Sequence, residues 1–358
     1  MAGGLQPDAI LAGADAPVDR HSERTAAAVL RVVNGVLFNL SALALVAASG
    51  VLTFGVLAGH LVGRAFEWQD EVMVFLVAGA IYLSAATVQA KRGHIGIEVF
   101  GSLLSPNANR VRHVLVDAVT LAFVSIFAWK TGGLLHEAIA EGQTSHSAWG
   151  PPLWIPYSVM TIGMTLLALQ LALQVGERSL LVLLAVLSAV AAFLVWSRPV
   201  TPLLTGIPQP VVGIAYCVVP LLVMFTGMPI AFALGAVALG FMLVLMPRAS
   251  VDTIAQNVYE ELANVIILAI PLFILKGATI GRSNAGKDLY GALHAWLYRI
   301  PGGLGIANTV ACGLFAAIVG SSTVTLLAVG TVMYPALLAG GYSKSFSMGL
   351  ICAGATLG

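Results

Sequence analysis

The sequence predicts an all-α polytopic membrane protein, and two features of its composition predict it. Apolar residues make up 59% of the chain and charged residues only 9%, against roughly 25% charged in a soluble domain. The apolar residues also fall in repeated runs near the roughly 20 residues that cross about 30 Å of hydrocarbon. A third feature sets this chain apart. In its last sixty residues a small hydroxyl cluster, Gly320-Ser321-Ser322-Thr323-Val324-Thr325, sits between two apolar arms where an ordinary span carries Leu or Val.

Read in order, the apolar runs place spans near 33–60, 70–90, 113–135, 154–175, 180–196, 210–226, 229–247 and 262–281. A hairpin of about 302–342 follows, and a last apolar segment opens at Phe346. The polar, alanine-rich residues 1–32 read as a solvated tail. They lack the short apolar core and cleavage pattern of a signal peptide, so the first run is a retained helix. Pro229 after Gly227-Met228 suits the first turn of a helix and marks a tight turn between two spans. Arg198-Pro199-Val200-Thr201-Pro202 reads as a rigid linker ending near Pro210, separating two membrane modules. The chain stops at Gly358 inside an apolar segment, which predicts a longer parent protein.

Basic residues distribute unevenly over the two sides. With the N-terminus inside, twelve fall in cytoplasmic segments (among them Arg20, Arg31, Lys91, Arg92, Arg178 and Lys344) and four outside: Arg64, Lys130, Arg198 and Arg248. That bias predicts a cytoplasmic N-terminus in a bacterial inner membrane. It also makes the hairpin enter from the cytoplasm.

Irregular backbone at membrane depth persists only where it is buried in protein or lines a cavity. Two apolar arms around a Gly-Ser-Ser tip therefore predict a re-entrant hairpin whose tip forms an ion or substrate site. Gly320 permits a tight turn, and Ser321, Ser322, Thr323 and Thr325 supply oxygens. The end of the first arm offers carbonyls at the negative pole of the helix dipole, and the start of the second offers N–H groups to an anion.

Several motifs in fixed order carry a resemblance. They are Trp68-Gln69-Asp70-Glu71, Gly79 and Lys91-Arg92-Gly93-His94-Ile95 in the first module. In the second they are Gly227-Met228-Pro229-Ile230-Ala231-Phe232, Ile270-Pro271-Leu272-Phe273-Ile274-Leu275 with Gly277, and Gly302-Gly303-Leu304 through Gly320-Ser321-Ser322 to Gly341-Tyr342. Over roughly residues 30 to 358 the chain resembles fused small and large membrane subunits of a tripartite ATP-independent periplasmic (TRAP) transporter. The resemblance implies a four-helix small-subunit module at 33–176, a connecting helix and linker at 177–209, and the N-terminal part of an elevator-type large-subunit module at 210–358.

The function it implies is import of an organic anion, a carboxylate or sulfonate. A periplasmic substrate-binding protein would deliver the anion, and sodium would drive its import. The family's large subunit continues well beyond the equivalent of Gly358, so the resemblance implies a truncated module. Lys276 stands where the family usually has a small or apolar residue.

On this reading sodium is the only metal, held through Ser321 and Ser322, and no organic cofactor is expected. Thr356 and Gly358 would begin a second break that completes the cation site. Trp68, Asp70 and Glu71 open a span at the outer interface, where tryptophan and acids are ordinary. Their functional reading is contact between modules or with the binding protein. Asp117, with Arg110 and Arg112 nearby, reads as an interfacial partner, and Lys276 as a snorkelling residue or an anion contact. Residues 287–299 read as an amphipathic interfacial helix. Cys217, Cys312 and Cys352 read as small core residues.

Two rivals follow from the same residues. One is a sodium–dicarboxylate symporter that needs no binding protein, against which the four-span first module argues. The other is a membrane subunit of a redox complex, which needs haem-ligating or paired metal-binding residues that the sequence does not show. An enzyme is not expected, and nucleic-acid binding has no support, since no basic patch exists outside short loops.

Overall fold

The computed structural model describes residues 20–63, 66, 68–97, 99–145, 147, 149–195, 208–245, 249–264, 272–273, 275–277, 279–280, 283–297, 299–320 and 322–357. The described chain is helical throughout, joined by short turns. Four helices are long and apolar enough to cross a membrane: α1 (Arg20–Val62), α2 (Trp68–Ala90), α3 (Pro106–Ala140) and α4 (Trp154–Arg178). The outward side chains of α1, such as Val36, Leu43, Phe54 and Leu61, are exposed apolar groups. Lipid solvates these groups, whereas water would penalise them.

Three shorter apolar helices follow: α5 (Leu180–Val195), α6 (Gln209–Phe225) and α7 (Ile230–Leu245). At 16 or 17 residues, they are about 25 Å long. Then come the short α8 (Ala249–Asp252) and the amphipathic α9 (Ile254–Leu262). Half of the expected span at 262–281 lies outside the described residues, as does the 198–202 linker. The chain resumes with α10 (Ala285–Leu297), α11 (Gly303–Val319), α12 (Ser322–Ala339) and α13 (Lys344–Ala355). The interfacial helix expected at 287–299 is thus present but begins and ends two residues earlier.

By its internal packing the chain forms two units, and α1 to α4 contribute residues to both. The first comprises the described residues of Met1–Leu40, Leu83–Ala128 and Ile162–Arg248. Its α1, α2 and α4 segments are tied by side-chain amides and hydroxyls. Thr87 Oγ1 donates to the Asn34 carbonyl at 2.8 Å, and Asn34 Nδ2 donates to Gln170 Oε1 at 3.2 Å. Gln89 Nε2 donates to Gln174 Oε1 at 2.9 Å, and Gln174 Nε2 donates back to the Gln89 carbonyl at 3.2 Å. Among lipid-facing helices such bonds supply the specificity that apolar packing against apolar solvent lacks.

The second unit comprises Ser41–Tyr82, Trp129–Thr161 and the described part of Ala249–Gly358. Its core lies among α10 to α13, where Ala307, Ala311, Cys312, Phe315, Val329, Met333, Leu337 and Ile351 are buried together. Small residues bring the helices close: a Cβ added at Gly354 would lie 2.9 Å from the Cys312 Cβ, and one at Gly340 2.6 Å from a Leu304 methyl. Of the three cysteines only Cys312 is buried; Cys217 and Cys352 are exposed. The expectation that all three are core residues therefore fails for two of them. Lipid accepts a thiol as it accepts a methyl, so apolar sequence around a cysteine does not bury it.

Candidate functional site

The α11–α12 pair is a helix–break–helix. Gly320 closes α11 in the left-handed conformation (φ 67°), and its N–H donates to the Ala316 carbonyl at 2.7 Å. A Cβ in that conformation costs about 1–2 kcal/mol, which is why glycine stands there. The cap uses one of the carbonyls expected to be free. Those after Ala316 lie where intrahelical donors run out.

The structure separates the expected tip residues. Ser321 lies outside the described residues, Ser322 is exposed at the start of α12, and the side chain of Thr323 is outside the described set. Thr325 is fully buried, and its Oγ1 has no hydrogen-bond partner. A buried hydroxyl left unpaired costs about 1–3 kcal/mol. Thr356 caps α13, and its hydroxyl is spent on the Ala353 carbonyl at 2.6 Å. Gly358 lies outside the described residues. Lys276 places its ammonium over the Phe273 ring, 5.6 Å from the centroid. Phe273 also packs 3.7 Å from where a Gly320 Cβ would stand, so that cation–π pair sits beside the break.

Two further constellations come from long-range packing. In the first unit, the motif following α2 meets the α6–α7 turn. Gly96 bridges Pro229, and the Ile230 N–H donates to the Ile95 carbonyl at 2.9 Å. A Cβ on Gly96 would stand 3.0 Å from the Gly227 carbonyl oxygen, so the approach requires glycine. His94 sets its ring edge-on to Phe232 at 4.9 Å, with Nε2 buried and unpartnered. Burial pushes the His94 pKa below its ordinary value, against a smaller opposing effect of a backbone hydrogen bond at Ala85.

Asp117, 6% exposed, accepts from Arg178 Nη1 at 2.5 Å and Arg92 Nη2 at 3.2 Å. Its partners are therefore not Arg110 and Arg112, as sequence proximity suggested. Arg112 donates instead to the Thr226 carbonyl and to Asn109. Arg92 carries a positive φ of 49°, an αL strain that its pairing with Asp117 offsets.

In the second unit, the first turn of α2, the end of α3 and the start of α4 meet α9 around a cavity of about 920 Å³. Asp70, Glu71, Glu137, Glu260, Tyr157 and Tyr259 line it. Glu71 accepts from the Ser145 hydroxyl, and Lys130 pairs with Asp252 close by in sequence to α9. Trp68 belongs instead to an aromatic cluster, 6.4 Å from Phe54 and 6.3 Å from Phe66. Sequence reasoning singled out Asp70 and Glu71 but missed Glu137, Tyr157, Tyr259 and Glu260. The available signal was the amphipathic stretch 254–262, polar in a chain where nearly everything else is apolar.

Comparison with known proteins fits both halves of this architecture. Residues 48–180 match the DctQ component of the tripartite ATP-independent periplasmic transporters. Residues 217–358 match the DctM component. The chain belongs to this family, with both components in one polypeptide. It is a multi-pass membrane protein of TRAP permease type.

Similar proteins include the isethionate TRAP transporter permease protein DctMQ of Oleidesulfovibrio alaskensis, 28% identical over 306 residues, covering 84% of this chain and 46% of that protein. The C4-dicarboxylate TRAP transporter large permease protein DctM of Rhodobacter capsulatus is 38% identical over 135 residues, covering 38% of this chain and 30% of that one. The ectoine large permease protein TeaC of Halomonas elongata is 31% identical over 126 residues, 35% of this chain and 30% of that one. The chain thus spans about half the length of the fused relative and about a third of the large permeases.

Proposed function

We propose that the full-length protein is the membrane component of a secondary transporter that imports an organic anion, delivered by a periplasmic substrate-binding protein and driven by sodium. The α11–α12 hairpin would belong to a transport domain that moves by an elevator motion against the small module. Membership of the TRAP family and the isethionate and C4-dicarboxylate names of its relatives support a carboxylate or sulfonate substrate.

One observation carries the sodium reading: the left-handed break at Gly320, followed one turn into α12 by the buried, unpartnered hydroxyl of Thr325. Sodium is a hard cation that takes hydroxyl and carbonyl oxygens, and a broken helix presents both. Thr325, Ser322 and the last carbonyls of α11 are the groups that would hold it, with Ser321 between them in sequence. The bias of basic residues supports an N-terminus in the cytoplasm.

The test is uptake of labelled isethionate and C4-dicarboxylates into liposomes holding the full-length protein, with and without its binding protein, in sodium or potassium gradients. The expected result is uptake that requires both the binding protein and sodium. Thr325→Val and Ser322→Ala should each raise the sodium concentration for half-maximal uptake several-fold. Uptake without a binding protein would favour a self-sufficient symporter. An unchanged sodium dependence in both variants would remove the hairpin tip as the cation site.

A further inference from the structure

The cavity among α2, α3, α4 and α9 is acidic. Asp70, Glu71, Glu137 and Glu260 line it, and no Lys, Arg or His is among the described residues that do. Where these carboxylates have hydrogen-bond donors, the donors are neutral: Ser145 for Glu71, and Gln256 Nε2, at 2.8 Å, for Glu260. Asp70, Glu137 and Glu260 are exposed and Glu71 is half-buried, so a cation drawn by the field of the cavity can reach all four.

A second observation is independent of the acids. Tyr157 and Tyr259 line the same cavity and are only 4% and 6% exposed. Their rings meet edge to face at 4.9 Å. Neither phenol hydroxyl has a hydrogen-bond partner among the described residues, although each side chain is otherwise buried. Both side chains thus border the negative space with only a small part of each uncovered.

The chemistry selects the kind of cation. A compact metal ion needs several ligands converging on one point. Among the described residues no three acidic, histidine or cysteine side chains converge in that way. A spread of carboxylates with aromatic faces suits instead a bulkier, weakly hydrated cation, attracted by the ring quadrupole and by the field of the acids together.

We propose that this cavity binds a small organic cation of the aliphatic or quaternary ammonium class, whose charge the four carboxylates share while its methyl or methylene groups lie against Tyr157 and Tyr259. The site is separate from the hairpin tip in residues and in charge, and its occupancy ties α9 to the ends of α2, α3 and α4. The Tyr259 phenol is held above its ordinary pKa by burial first, then by Tyr157 and Glu71. It therefore remains a protonated donor at any physiological pH.

The experiment measures the melting temperature of the detergent-solubilised full-length protein against choline, tetramethylammonium and putrescine chlorides, with potassium and magnesium chloride as controls at matched ionic strength, all in a constant sodium background that saturates the hairpin tip. With sodium held constant in every sample, a saturable rise with the ammonium probes in the millimolar range, absent with potassium chloride, is expected by mass-action linkage. The double variant Glu71→Gln/Glu260→Gln should weaken the ammonium effect about tenfold and Glu137→Gln about threefold. Glu261→Gln, which removes a charge from α9 but not from the cavity lining, should leave it unchanged. Glu137 is exposed, so its variant remains informative if the double variant fails to fold. Equal stabilisation by potassium chloride, a larger one by magnesium alone, or an affinity indifferent to Glu137→Gln would each overturn the proposal. None of these readouts involves transport, so failure here leaves the proposed import function standing.

Discussion

The two places where the first four helices meet the later ones solve the problem of charge in opposite ways. In the first unit, two arginines converge on Asp117, and the loop after α2 docks through backbone bonds at Gly96 and Ile230. In the second unit, four carboxylates and two buried phenols surround an open cavity that holds no described cation. One junction is closed by its own residues. The other stays open to solvent, with its acids unpaired by any described cation. The difference separates a brace from a site: a buried charge with its partners in place stabilises one geometry, and a field without them recruits a ligand.

Breaking the closed junction should have the largest effect. Asp117→Ala leaves Arg92 and Arg178 facing one another without an acid. Breaking a buried pair costs about 3–5 kcal/mol, and the partial exposure of both guanidinium groups lowers the expectation here to about 2–3 kcal/mol. Denaturation of the purified protein should show it as a clear loss of stability, and a melting curve equal to wild type would refute the bracing role.

Gly96→Ala comes next, at about 1–3 kcal/mol. Its Cβ meets a backbone carbonyl at 3.0 Å, which has no rotamer by which to yield. The same substitution at Gly133, where nothing lies within 4 Å, should be neutral or slightly stabilising, because alanine is the better helix former.

The open junction should respond with the opposite sign. Glu137→Gln removes like-charge repulsion and no recorded bond, so stability without ligand should stay within about 0.5 kcal/mol of wild type or rise. A marked loss would mean that Glu137 has a structural partner.

The subtlest effect is a slope with pH. His94 has a folded-state pKa below its unfolded value because of burial, so the stability it contributes is fully present above the unfolded pKa of about 6.5. That contribution falls as the pH drops from there through the lower folded value. His94→Gln should flatten stability between pH 7 and 5 relative to wild type, and an unchanged slope would place the titration elsewhere.

The sequence made some of this visible and hid the rest for physical reasons. The hairpin was legible because its signal is local: apolar arms at helical length and a Gly-Ser-Ser interruption, observed as α11 and α12 with a left-handed Gly320 between them. Within that tip, the sequence could not say which hydroxyl is buried. Ser321 and Ser322 attracted attention as a pair, yet among the described tip side chains Thr325 is the one enclosed without a partner. Helical rotation puts each residue about 100° from the last, so which one faces inward depends on the packing of neighbouring helices. Asp117 was expected beside the arginines nearest in sequence, but its partners lie 25 and 61 residues away.

What the sequence by itself determined is the class of protein, its helices, the order of its modules and the break in the hairpin. Each follows from composition or from periodicity within a few turns, and the hydrocarbon core enforces it, because an apolar run must pair its own backbone to enter lipid. What only the tertiary structure decided is where the charges go. Asp70 and Glu71 become part of an acidic cavity because α9, nearly two hundred residues later in the chain, brings Tyr259 and Glu260 beside them. Asp117 becomes the anchor of a brace because the ends of α2 and α4 deliver Arg92 and Arg178 to one oxygen. Electrostatic partnership depends on distance in space, and distance along the chain does not reveal it.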